Sequence, residues 1–167
     1  MNRRPEDPFT ILLVGSDAKT LEKLRARLKG RPHLSIIGEA DSKAKALAAI
    51  RVRRPDLVLL DWRLPDARGK NLLERICRAD PRIHTVVLRG PDDSASMLKA
   101  IRVGAAGYVL KNNPAGDLML AIRAAQSGAL YLDPAATRTL QAGMNVESAA
   151  PAFNVLECPG GAWPGPR

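Results

Sequence analysis

Asp61 ends the apolar run Leu57-Val-Leu-Leu60 and is followed four residues later by Pro65. Fifty residues on, Gly107-Tyr108-Val109-Leu110 ends in Lys111. A carboxylate at the tip of a buried strand can act as a nucleophile toward an electrophile such as a phosphoryl group, and an ammonium beside it can neutralise the oxygens in transfer. Thr85-Val-Val-Leu88 ends in a third polar residue, Arg89, and Ile11-Leu-Leu-Val14 ends in Gly15-Ser16. Asp17 comes next and is placed to cap a helix.

Five short runs must position these groups: Thr10–Val14, Leu34–Gly38, Leu57–Leu60, Thr85–Leu88 and Tyr108–Leu110. They are rich in Val, Ile and Leu without alternation, as strands buried on both faces are. Helical spacing separates them. Leu21, Leu24 and Leu28 mark the first helix; Ala44, Leu47 and Ala48 the second; Leu72, Leu73 and Ile76 the third. Met97, Leu98 and Ile101 mark the fourth, opened by Asp92-Asp93-Ser94 and closed by Gly104. Leu118, Ala121, Ile122 and Ala125 mark the fifth, between Pro114 and Gly128. Strand and helix in alternation predict a parallel sheet covered on both faces, with ligands at the carboxyl ends of its strands. Gly15, Ser16, Asp61, Arg89 and Lys111 all fall at such ends.

The chain has 167 residues, 46% of them hydrophobic, which suits one domain with a packed core and a tail. No apolar run reaches the roughly 20 residues of a membrane helix. The N-terminus lacks the apolar stretch of a signal peptide, so a cytoplasmic location and no membrane partner are expected. Cys77 and Cys158 have no metal-ligand spacing and read as packing or neutral positions. The net charge is +9, and residues beyond Leu140 carry only Glu147, Glu157 and Arg167, so the excess lies in the first 140. The basic residues are dispersed and not interleaved with aromatics, so they read as solvated helix faces. Residues 1–8 are expected as an N-terminal tail, 9–130 as the domain and 131–141 as a linker with a short helix from Pro134. Residues 142–167, rich in Gly, Pro and Ala, are expected as a flexible tail.

With Pro65 and Gly69 after Asp61, the segments around Asp61 and Lys111 resemble the receiver domain of two-component response regulators. Ile37-Gly-Glu-Ala40, Gly104-Ala-Ala-Gly-Tyr-Val-Leu-Lys111 and Ala121-Ile-Arg-Ala-Ala125 resemble the NarL/FixJ (LuxR-type) subfamily. The resemblance covers about residues 9–130. It implies a CheY-like (flavodoxin-like) doubly wound α/β fold, with five parallel strands in the order 2-1-3-4-5 and helices on both faces. That subfamily normally continues into a helix-turn-helix DNA-binding domain, which needs two periodic helices. Residues after Leu140 show neither, so no dedicated nucleic-acid contact is expected.

By the same resemblance Asp61 is the phosphoacceptor, Lys111 its cationic partner and Tyr108 a neighbour of the aromatic switch position. The family places two acidic residues for magnesium where this chain has Gly15 and Ser16, and a serine or threonine where it has Arg89. Magnesium binding is therefore expected to be weak or absent, with Asp61 the ligand if any; Asp17 would need a shifted backbone to reach the site and is expected at the helix cap instead. Arg89 and Lys111 are expected to pair with Asp61. Arg63 stands where a phosphatase of the aspartate-nucleophile kind would have a second aspartate, so no enzyme activity beyond residual phosphate acceptance and its hydrolysis is expected. The implied role is an atypical receiver in phosphorelay signalling that works through protein contact. The alternatives are a receiver that is phosphorylated, or the input half of a LuxR-type transcription regulator. A sensor histidine kinase or other signalling protein is the implied partner, along with a homodimer through the face of the fourth helix, fifth strand and fifth helix.

Overall fold

The computed structural model describes residues 7–64, 69–90, 94–111, 115–134 and 137. The order is β1 (Phe9–Val14), α1 (Ala18–Leu28), β2 (Leu34–Ala40), α2 (Lys43–Arg53), β3 (Leu57–Asp61), α3 (Gly69–Ala79), β4 (His84–Arg89), α4 (Ser94–Val103), β5 (Gly107–Leu110), α5 (Ala115–Gln126) and β6 (Tyr131–Leu132). All strands are parallel, in the order β2-β1-β3-β4-β5-β6.

Strand periodicity sorts the core into two layers. Leu12, Val14, Val58, Leu60, Val87 and Tyr108 face α2, α3 and α4. Ile11, Leu13, Leu57, Leu59, Val86, Leu88 and Val109 face α1 and α5. The central strands β1, β3 and β4 are covered on both faces and are mainly apolar, whereas β2 at the edge is only partly buried. Leu21, Leu24 and Leu28 bury the face of α1, and Leu72, Leu73 and Ile76 that of α3. On α2 the buried residues are Ala46 and Ile50, with Leu47 partly covered, while Ala44 and Ala48 face solvent. Alanine and other apolar residues surround this helix on every side, so spacing alone does not fix its phase. Leu98 of α4 is likewise outward, at 44% exposure. Cys77 is half-buried against the α2–α4 layer.

A sixth strand replaces the start of the expected linker. Gly128, at φ 75°, turns the chain after α5. Tyr131 N–H then donates to the Ala106 carbonyl at 3.1 Å, and Asp133 N–H to the Tyr108 carbonyl at 3.2 Å. Without this short strand, β5 would present an open edge. Asp133 is fully buried and accepts the Leu110 N–H at 2.7 Å. The expected helix openers Asp92 and Asp93, Pro65 of the acceptor loop, and the tails 1–6 and 142–167 lie outside the described residues.

Candidate functional site

The carboxyl ends of β1, β3, β4 and β5 bring Ser16, Asp61, Arg89 and Lys111 to one end of the sheet. Asp61 is fully buried at the end of β3. Lys111 Nζ donates to Asp61 Oδ2 at 2.6 Å, and Ser16 Oγ donates to the same oxygen at 2.7 Å. Ser16 N–H adds a longer bond to Oδ2 at 3.3 Å, while Arg63 N–H holds Oδ1 at 2.9 Å. Burial pushes the Asp61 carboxyl up, but hydrogen bonds from Lys111, Ser16 and Arg63 outweigh it and hold the group below its ordinary value. The carboxylate is ionised, and its Oδ2 lone pairs are largely committed.

Lys111 is placed by backbone pairing: its N–H donates to the Arg89 carbonyl at 2.8 Å, next to the Leu110–Asp133 bond. Its side chain remains 25% exposed. Ser16 also lies 3.0 Å from Asp17 Oδ2. A hydroxyl has one proton, and the nearer Asp61 oxygen is the better claimant. Asp17 caps α1 as its position predicts, accepting Thr20 N–H at 2.7 Å and Thr20 Oγ at 3.0 Å. The Thr20 backbone bond, with the Thr20 hydroxyl, holds its carboxyl below the ordinary value.

Arg89 departs from the expected pairing. It is buried, at 3% exposure, and its guanidinium carbon stands 5.4 Å from the centroid of the Tyr108 ring. The Asp61 partners are Lys111, Ser16 and the Arg63 backbone; Arg89 is not among them. The reason is geometric. Arg89 and Tyr108 lie on adjacent strands, on the sheet face that meets α2–α4, where the ring takes the cation. Tyr108 is itself fully buried.

Gly15 contributes no ligand and has little room for one: a Cβ there would stand 2.9 Å from Leu21 Cδ2 and 3.0 Å from Leu21 Cγ. The family resemblance implies magnesium at this place, and a hard cation takes several oxygen ligands, commonly more than one carboxylate. The side chains here fit it poorly. Among the described residues Asp61 is the one carboxylate at the centre, with Lys111 and Ser16 already on its Oδ2. No group of three His, Cys, Asp or Glu residues converges among the described residues.

Two contributors were not visible in the residue pattern. Arg63 acts through its backbone N–H, which no side-chain motif announces. Its guanidinium also packs over Gly90, where a Cβ would lie 3.3 Å from it. Asp133 anchors the strand that carries Lys111, and its only sequence signal is an acid beside the apolar Tyr131-Leu132 pair.

The sequence profile of the response regulator receiver domain matches residues 11–123. The chain is 36% identical over 111 residues to the DNA-binding transcriptional activator DevR/DosR of Mycobacterium tuberculosis, covering 66% of this chain and 51% of that protein. It is 26% identical over 144 residues to the nitrate/nitrite response regulator protein NarL of Escherichia coli, covering 86% of this chain and 67% of NarL. It thus spans about half the length of DevR/DosR. A crystal structure of a LuxR-family two-component response regulator from Aurantimonas sp. superposes with a TM-score of 0.77 at 28% identity, over 84% of this chain and all of that one. The isolated receiver domain of RcsB from Salmonella enterica gives 0.74 at 19% identity, over 80% and 99% of the two chains, a likeness of fold. No helix among the described residues is long and apolar enough to cross a membrane. The sheet order, the Asp61–Lys111 pair at its carboxyl end and the profile match agree: this chain belongs to the response regulator receiver domain family.

Proposed function

We propose that this chain is an atypical receiver of two-component signalling, acting in the cytoplasm through protein–protein contact, with Asp61 phosphorylation weak or absent. The observation that carries this reading is the closure of Asp61 Oδ2 by Lys111 at 2.6 Å and Ser16 at 2.7 Å, with no second carboxylate on Asp61 among the described residues. Phosphoryl transfer to a carboxylate brings negative charge onto negative charge, so the acceptor needs concentrated positive charge beside it. Lys111 supplies one cation at the right atom. Arg89, in the place of a hydroxyl residue, sets its guanidinium over the Tyr108 ring and brings no hydroxyl of its own to close on a phosphoryl group.

Asp61 remains the formal phosphoacceptor in this reading, and Tyr108 links Arg89 to the face of α4, β5 and α5. That face is the one proposed for a partner protein or a second copy. A sensor histidine kinase, or another signalling protein, is the proposed upstream contact. One contact favours a second reading, in which Asp61 is phosphorylated: Asp17 Oδ2 lies 3.0 Å from Ser16 Oγ and so stands close behind the acceptor. In that case the chain would serve as a phosphorylated input module of a transcription regulator.

Intact-mass measurement after incubation with acetyl phosphate and magnesium separates the two. The proposed function predicts no phosphoryl adduct over hours. A stoichiometric adduct that disappears in Asp61→Asn contradicts it and supports the second reading.

A further inference from the structure

At the opposite end of the sheet from Asp61, the carboxyl ends of α2 and α3 and the turn before β4 enclose an open cleft of about 840 Å³. Its rim carries Arg51, Arg54, Arg75 and Arg78, and its floor is Leu47, Ile50 and Ile83. The one acid on its wall, Asp80, is already held by Arg82 through two bonds of 2.9 and 2.8 Å. Arg51, Arg75 and Arg78 make no salt bridge among the described residues, and Arg54 acts on Asp80 only through space. A smaller hollow continues along α2, where Lys43 joins Arg51 and Arg75. Charges that are dispersed in the sequence converge here.

A single arginine at a helix carboxyl end suits the helix dipole. Four exposed guanidinium groups around one concavity, with Asp80 the acid beside them among the described residues, make a positive potential that attracts an anion. Arg54 adds a second sign. It caps α2 at φ 45°, a left-handed position where glycine is at ease, and is the one non-glycine residue with positive φ among the described residues. Holding an arginine there costs about 1–2 kcal/mol.

We infer that this cleft binds a nucleotide bearing at least two phosphates, with arginine forks on the phosphate oxygens and the base on the Leu47–Ile50–Ile83 floor. The volume falls in the range of small-molecule pockets, about 300–1,000 Å³. The cleft lining includes no aromatic ring on which successive bases of a single strand could stack. Its recess between two helices suits a compact ligand better than a rod-like duplex. The inference is independent of Asp61, so a receiver that is or is not phosphorylated leaves it standing.

Isothermal titration of the whole chain with ATP, AMP and inorganic triphosphate at physiological ionic strength tests it. ATP is expected to bind, with AMP weaker by about tenfold or more. The double substitution Arg51→Ala with Arg78→Ala should weaken ATP by about tenfold or more while Asp61→Asn leaves it unchanged. If the double variant does not fold, Arg51→Lys with Arg78→Lys keeps the charge, removes the forks and should still weaken ATP. Absence of ATP binding, or affinity unchanged in the folded arginine variants, overturns the assignment. Triphosphate binding as tightly as ATP overturns it too, since the floor would then read no base. Tighter capture of a DNA duplex than of ATP would make the cleft part of a nucleic-acid surface and equally overturn it.

Discussion

Lys111 Nζ stands 2.6 Å from Asp61 Oδ2, joining a lysine that is one-quarter exposed to a carboxylate that sees no solvent. The pair ties the end of β5 to the end of β3 across β4, so it is a structural clasp as well as a chemical site. Charge-assisted bonds of this kind contribute more than neutral ones, and losing one partner leaves the other buried with its desolvation uncompensated.

Lys111→Met is accordingly expected to destabilise the fold by about 2 kcal/mol. Asp61→Asn combined with Lys111→Met should cost less than the sum of the two single changes, by about 1–3 kcal/mol. Urea denaturation of the four proteins measures the coupling. Strict additivity would mean that the contact does not form in solution.

Asp61 and His84 are the two most buried of the groups whose titration shapes the acid limb of stability. The Asp61 carboxyl sits below its ordinary value in the fold, so its contribution is complete above the unfolded value of about 3.9 and is lost as the pH falls through the lower folded one. Burial lowers the basicity of His84, against a smaller opposite pull from Asp56. The unfolded chain therefore takes up a proton near pH ~6.5 that the fold resists, and stability declines as the pH drops below that point. His84→Gln should flatten this upper step, and Asp61→Asn should reduce the lower one. Denaturation midpoints measured across pH check both signs.

Restoring acids to the pocket should separate two adjacent positions. Ser16 is partly exposed and already faces Asp61, so Ser16→Asp is expected to fold and to introduce magnesium-dependent phosphorylation by acetyl phosphate. Gly15→Asp sets a Cβ 2.9 Å from Leu21 Cδ2, so the leucine must change rotamer, and it should cost about 1 kcal/mol. Thermal unfolding and intact mass read the two effects.

Asp133 holds the Leu110 N–H from full burial, one residue before Lys111. Asp133→Ala would leave that donor without its acceptor, at an expected cost of about 1–3 kcal/mol. Hydrogen exchange should rise at Leu110 and Lys111 before it rises in β3. Protection that falls equally in both strands would show that β6 does not brace the lysine.

The sheet was legible because strands buried on both faces carry long apolar runs, and Ile11–Val14, Leu57–Leu60 and Thr85–Leu88 have no other reading. The cap at Asp17 and the buried faces of α1, α3 and α5 followed from spacing. Side-chain direction was not legible. Arg89 sits at a strand end beside Asp61 in the pattern, yet it turns to the Tyr108 ring because strand register puts both on one face. β6 escaped notice because two residues carry no period, and only the open edge of β5 calls for them. The arginine cleft draws on α2, α3 and the turn before β4, so charge that looks dispersed along the chain becomes local only after folding.

In the proposed function Lys111 and Ser16 occupy Asp61 Oδ2 and leave magnesium no foothold there. Trp62 adjoins Asp61 and is 8% exposed, so its fluorescence reports events at that carboxylate. Titration with millimolar magnesium, with Asp61→Asn as the reference for background from Trp163, is the direct measurement. No saturable change is expected in the native chain, and a saturable change is expected in Ser16→Asp. A saturable change in the native chain that is lost in Asp61→Asn would contradict the proposed function.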